Sequence, residues 1–166
     1  IDYYLSKKPA YYEMKRCFAP VMAQIIRIDG KCRLCVANDT NRDFAVAAQV
    51  GTKTYNGTEL CASTVSGVVR AGGIFTAPLD CKEEGDYVFA SGTVGELPFA
   101  ETYELSRYRE KKFVPEYSVS SVSTGDGKYE ITVSAKTFVP CFKISAGDNA
   151  QVADNYFDLA AGTKRT

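Results

Sequence analysis

Apolar residues change their spacing once along the chain, at Pro20. Before it, Tyr11, Met14 and Phe18 recur at i, i+3 and i+7, the spacing of one helical face, which predicts a helix over residues 8–20. Ser6 is placed to cap it, and Pro9 falls in the first turn, where its missing N–H does no harm. Glu13 precedes Lys15 and Arg16, the order a helix dipole favours, and Pro20 ends the helix. Isolated helices shorter than ~12–15 residues are marginal in water, so this one needs a partner surface.

After Pro20 the period is two. Strands are predicted at residues 22–28 and 31–37, the latter with Cys32, Leu34 and Val36 on one face, and at 43–50, with Phe44, Val46, Ala48 and Val50 inward. Further strands are predicted at 59–66, 68–71, 74–79 and 86–94. Asp29-Gly30, Asn56-Gly57 and Gly72-Gly73 supply turns, giving about seven strands between residues 21 and 106. This is the signature of an antiparallel β-sandwich. The charged run RYREKK at 107–112 reads as a linker or outer edge between two domains. Beyond it, strands are expected at 117–123, at 128–135 with Tyr129, Ile131, Val133 and Ala135 inward, and at 138–144, where Pro140 implies an edge or bulge. The second unit, 107–166, is short against the roughly 100 residues of an immunoglobulin-type sandwich. It is therefore either short of a terminal strand or a small sandwich.

Composition narrows the chemistry. Lys+Arg and Asp+Glu are both 20, so no net field draws the chain to nucleic acid or to an anionic membrane. No apolar run approaches the ~18 residues of a membrane-spanning helix. Residue 1 is Ile, which reads as a processed or cut chain. Histidine is absent, which removes the commonest general base and metal ligand, and tryptophan is absent too. Cysteines stand at 17, 32, 35, 61, 81 and 141. Cys32 and Cys35 are three apart on a strand and so face opposite ways, which argues against a shared metal; scattered reduced cysteines are expected.

Other candidates for chemistry have plainer readings. Glu83-Glu84 reads as a solvated turn, and Asp154 and Asp158 as turn caps or domain-interface contacts. Ser and Cys nucleophiles lack a His base, and Gly92-Thr93-Val94-Gly95 lacks the Lys of a phosphate loop. Asn38-Asp39-Thr40 and Asn56-Gly57-Thr58 match the glycosylation sequon but sit naturally in turns. Tyr103, Tyr108 and Tyr117 lie near the predicted domain junction, as a sugar-stacking surface or an interdomain contact.

Several stretches are similar, in order, to one family. Asp2-Tyr3-Tyr4, Lys8-Pro9-Ala10-Tyr11-Tyr12 and Lys15-Arg16-Cys17-Phe18-Ala19-Pro20 resemble the end of the catalytic barrel in β-mannosidases of glycoside hydrolase family 2. Asn38-Asp39-Thr40, Gly72-Gly73 and the run from Asp126 to Thr132 resemble features of the two β-sandwich domains that follow that barrel. The segment from Asp154 to Leu159, DNYFDL, is similar to one near the C-terminus of those enzymes.

The resemblance implies a mainly β fold: tandem immunoglobulin-like β-sandwiches preceded by a short N-terminal helix. Residues 1–20 would be the closing helix and exit segment of an absent catalytic barrel, 21–106 one sandwich, and 107–166 a second, incomplete one. Both catalytic glutamates would lie upstream of Ile1, so the chain itself is expected to be inactive, with no catalytic, cofactor or metal residue. Its expected partner is the upstream barrel, with oligosaccharide and self-association as further candidates and neither nucleic acid nor membrane; a cytoplasmic address is favoured over a periplasmic or lysosomal one. The alternative function is a carbohydrate-binding module. A stand-alone adhesion sandwich would instead carry disulfides.

Overall fold

The structure is a computed structural model that describes residues 7–79, 82–105, 113–145, 147 and 150–166. One helix, α1 (Pro9–Cys17), stands at the start of the described residues. Its N-cap position is Lys8, with no side-chain cap; Ser6, the expected cap, lies outside the described residues. Lys15 and Arg16 occupy the last turn, where they complement the helix dipole.

The first unit is built from β1 (Val21–Ile28), β2 (Lys31–Asn38), β3 (Phe44–Lys53), β4 (Glu59–Val69), β5 (Gly73–Pro78), β6 (Tyr87–Val94) and β7 (Leu97–Glu104). They form two antiparallel sheets, β1-β2-β5 and β4-β3-β6-β7. The predicted alternation holds on β2 and β3: Cys32, Leu34 and Val36 are buried, as are Val46, Ala48 and Val50, and the two faces meet in one core. Cys35 is only half-buried, on the other face of β2 from Cys32.

Two glycines need their missing Cβ. Gly67 was expected to divide two strands, but β4 runs through it unbroken; a Cβ there would lie 2.4 Å from the Phe75 ring, so the gap admits that aromatic from β5. At Gly92 a Cβ would meet the Ala47 carbonyl oxygen at 2.0 Å, so β3 and β6 approach closely only because no side chain intervenes.

The second unit comprises β8 (Tyr117–Gly125), β9 (Lys128–Ala135), β10 (Val139–Phe142), β11 (Phe157–Leu159) and β12 (Lys164–Arg165). A three-stranded sheet, β12-β9-β8, faces the short pair β10-β11 around Val133, Ala135, Val139, Phe157 and Leu159. The irregularity foreseen at Pro140 is present, as a register shift between Val139 and Phe142 with Cys141 at φ 48°. Tyr129 corrects the expected inward set. It is 66% exposed, because the short β10-β11 pair packs over the Val133–Ala135 end of β9 and Tyr129 sits at the opposite end, beside the turn to β8.

The two units share an aromatic cluster. Tyr55, Tyr87 and Phe89 from the first unit pack with Phe138 from the second and with Phe113 between them. Tyr55 stacks on Phe113 with ring centroids 4.1 Å apart, and Tyr87 lies 4.6 Å from Phe138. Hydrogen bonds cross the same junction: the Phe138 amide donates to the Tyr55 carbonyl (2.8 Å), and the Ala161 amide donates to the Tyr87 hydroxyl (3.1 Å). Rings that exclude water around such bonds hold the units together through dispersion and area burial.

One cysteine expectation is corrected. Cys61 is disulfide-bonded, while Cys17, Cys32, Cys35 and Cys141 are free.

Candidate functional site

A groove of about 760 Å³ lies where α1, β1, β7, β11 and β12 come together. Its volume lies within the ~300–1,000 Å³ of ordinary ligand sites. Helix α1 forms one rim and is held by its last turn. The Arg16 guanidinium pairs with Glu13 at 2.6 Å and with Asp154 at 2.7 Å, and donates to the Asn155 (3.2 Å) and Tyr156 (3.3 Å) carbonyls. Lys15 donates to the Ala153 carbonyl at 2.9 Å, and the Tyr12 ring packs 5.9 Å from that of Tyr156. Burial works against the Arg16 charge, but its hydrogen bond to Glu13 and the charge of Asp154 outweigh this and raise its pKa.

This seating corrects the expected helix face. Tyr12 is the buried residue, at 5% exposure, whereas Met14 is 58% exposed and Phe18 79%. The seat lies on the second unit, at residues 153–156. The segment that receives it is rigidly built. Asn155 donates to the Ile144 carbonyl (2.8 Å) and accepts from the Ile144 amide (2.7 Å), and Asp154 is also paired with Arg165 of β12.

On the floor of the groove, β7 presents Phe99, Glu101 and Tyr103 on one face. Phe99 and Tyr103 pack against the first core, and Glu101 between them is half-buried with no hydrogen-bond or ion-pair partner among the described residues. Its carboxyl is pushed up to about 7, chiefly by burial and then by the nearby Glu13 carboxylate; Arg165 and Arg16 oppose the shift and Asp158 adds to it. Asp158 accepts from the Cys141 amide (2.7 Å) and from the Thr102 hydroxyl (3.3 Å), so it ties β11 to β7.

A retaining glycosidase needs one raised carboxylic acid and one free carboxylate about 5–5.5 Å away. Glu101 has the first property. Glu13 and Asp158, the two acidic groups that add to this shift, are engaged by Arg16 and by the Cys141 and Thr102 donors. Among the described residues no cluster of three His, Cys, Asp or Glu could hold a metal ion.

The tyrosines singled out from the sequence do not form one surface. Tyr103 lines the groove and packs on the first core, Tyr117 meets Phe142 edge-on at 5.1 Å in the second unit, and Tyr108 lies outside the described residues. Other readings are adjusted too. Glu83 is more than a solvated turn residue: it pairs with Arg27 at 3.0 Å and accepts from the Cys32 amide. Asn38 is fully buried, its amide donating to the Arg42 (2.8 Å) and Arg70 (2.9 Å) carbonyls, so that sequon is a structural tie. Glu101 and the Arg16–Asp154 pair were missed. The alternation of Phe99, Glu101 and Tyr103 was a readable signal for the first; nothing local in the sequence joins Arg16 to Asp154.

Residues 114–166 match the Ig-fold domain of mannosidases (Ig_mannosidase). No curated protein matches the chain by sequence. Among solved structures, the β-D-mannosidase of Dictyoglomus thermophilum superposes with a TM-score of 0.81 at 21% identity. That match covers 99% of this chain and 21% of the mannosidase chain, so the chain spans about a fifth of that protein's length. The match to mannosidase Ig-fold sequence in the second unit, and the shared fold along the whole chain, bear out the resemblance read from the sequence.

Proposed function

We propose that this chain is the accessory C-terminal β-sandwich region of a β-mannosidase-like glycoside hydrolase of family 2, and that it acts as scaffold rather than catalyst. In this reading residues 1–20 close the catalytic barrel, 21–106 form the first sandwich and 107–166 the second. The whole enzyme hydrolyses terminal β-linked mannose with retention, through two glutamates carried upstream on the barrel.

The observation that carries this reading is the division of labour on α1. One side, with Tyr12, Lys15 and Arg16, is fixed to residues 153–156, while Met14 and Phe18 stand exposed. A short helix with one side anchored and large apolar groups on the other suits a connector between two bodies. The barrel is the body that the free side would meet. The test is the coding sequence immediately upstream of Ile1: a barrel domain with two strand-end glutamates is expected, and a secretion signal joined directly to Ile1 would overturn the reading.

The carbohydrate-binding alternative has one observation in its favour. Tyr117 and Tyr129 are both more than half exposed, and the β8–β9 register puts them on one face of that sheet. Saturable retardation in a mannan affinity gel, lost in Tyr117→Ala and Tyr129→Ala, would support it; unchanged mobility at high polysaccharide would count against it.

A further inference from the structure

Asn56 is the one asparagine of the chain that a glycine follows. It lies exposed in the turn between β3 and β4. Its side-chain Oδ1 collects three donors: the Thr58 amide (3.3 Å), the Thr58 hydroxyl (3.1 Å) and the Thr54 hydroxyl. The Thr54 hydroxyl is itself held by the Thr58 amide at 3.2 Å. A backbone N–H can only donate, so the atom that receives it is the amide oxygen. A neutral amide oxygen has two lone pairs, so three converging donors suit an oxygen that carries negative charge better than one that does not. The Asn56 nitrogen has no hydrogen-bond partner among the described residues.

We propose that Asn56-Gly57 is a self-modifying site, at which the Gly57 nitrogen attacks the Asn56 amide carbon while Thr54 and Thr58 stabilise the oxyanion that forms. The Gly57 nitrogen gives its proton to water or hydroxide as its bond to Cγ forms, and the carbonyl electron pair moves onto Oδ1. The oxyanion then collapses, and the Cγ–Nδ2 bond breaks. Nδ2 takes a proton from water and leaves as ammonia. Water adds to one carbonyl of the resulting succinimide and opens it to aspartate or isoaspartate. One water is consumed, one ammonia is released, and nothing is oxidised or reduced.

Gly57 suits the attack because it has no Cβ to obstruct the ring that closes, and its φ of 92° is one that other residues rarely adopt. One contact opposes the step: the Gly57 amide donates to the Thr54 carbonyl at 2.9 Å and must leave it first. That is one bond in a surface turn, set against three donors at the oxygen where charge develops.

The turn also joins the two units. Tyr55, next to Asn56, donates its amide to Asp86 (2.7 Å) and accepts from the Phe138 amide (2.8 Å). A Cβ on Gly57 would lie 2.9 Å from that of Ala161. Isoaspartate adds a carbon to the main chain at position 56, between Tyr55 and the Thr54–Thr58 bond that closes the turn (3.0 Å). The modification therefore falls where the first unit grips the second.

The test incubates the 166-residue chain at pH 8, folded and in urea. The tryptic peptide 54–70 is then read, after reduction, by chromatography that resolves aspartate from isoaspartate and by mass spectrometry. Conversion of Asn56 is expected to run about tenfold faster in the folded chain than in urea. Thr58→Val, which removes one donor and keeps the backbone amide, should slow the folded chain about tenfold and leave the rate in urea unchanged. Thr58→Ser should react as the wild type does. A folded wild-type chain that reacts no faster than the unfolded one would overturn the proposal, whatever the variants do. Equal rates for folded wild type and folded Thr58→Val would overturn it as well.

Discussion

Arg16 and Asp154 meet at 2.7 Å, although 138 residues of chain separate them. The contact joins the helix at the start of the described chain to the second sandwich near its end, and Arg165 binds the same carboxylate. Two guanidinium groups sharing one half-buried carboxylate should depend on each other more than exposed pairs do. Asp154→Ala should lower unfolding stability by about 1–3 kcal/mol, and Asp154→Asn by a similar amount, since the amide cannot serve two guanidinium groups. Urea unfolding with the Arg16→Ala, Asp154→Ala double-mutant cycle checks this; additive single effects would show that the pair is uncoupled.

The helix face offers a second comparison. Tyr12 is buried against Tyr156, whereas Phe18 is almost fully exposed. Tyr12→Ala should cost about 2–4 kcal/mol and Phe18→Ala within about 0.5 kcal/mol in the isolated chain. Thermal unfolding of the two variants side by side distinguishes them, and a larger loss for Phe18→Ala would place the packed face where the sequence alone put it.

That misplacement shows what was legible. Strands were read well wherever one face meets a core from end to end, as on β2 and β3, because burial then imposes a strict period of two. It failed at Tyr129, where the covering pair is too short to reach. Gly67 was misread because a glycine that breaks a strand and one that admits a neighbouring ring look alike in sequence. On α1, the i, i+3, i+7 stripe marked a face without saying what covers it, and the groups that seat the helix are the charged Lys15 and Arg16. Their partners are set by the return of the chain at residues 153–156, a distant contact that no local pattern encodes.

Phe138 ties the two units together. It is fully buried between Tyr55, Tyr87 and Phe113. Phe138→Ala should cost about 3–5 kcal/mol, and Phe138→Leu less, because leucine refills part of the void. Calorimetry should show one cooperative transition in the wild type and two in Phe138→Ala. A single transition in both would mean that the hydrogen bonds from Phe138 to Tyr55 and from Ala161 to Tyr87 suffice to couple the units.

Gly92 should tolerate no side chain. The Ala47 carbonyl stands 2.0 Å from where a Cβ would be, and backbone there cannot move without breaking the β3–β6 ladder. Gly92→Ala should destabilise by more than about 3 kcal/mol, or fail to accumulate as soluble protein. Gly30→Ala, at a turn where a Cβ meets nothing within 4 Å but φ is 78°, should cost only about 1–2 kcal/mol.

The free thiols should differ in reactivity. Cys17 and Cys141 are exposed, while Cys32 is buried and its thiol is pushed up to about 11 by burial and by Glu83. At pH 8 iodoacetamide should label Cys17 and Cys141 within minutes and leave Cys32 unmodified in the folded chain, as peptide mapping would reveal. Fast labelling of Cys32 would mean that β2 opens readily.

Under the proposed function this chain serves a β-mannosidase-like enzyme as scaffold and releases no product by itself. The most direct test is release of the aryl alcohol from an aryl β-mannoside by the purified 166-residue chain, measured beside the complete protein from which it comes. Release by the complete protein, and none above a buffer blank by the chain alone, is the expected result. Release by the chain, abolished in Glu101→Gln, would contradict it.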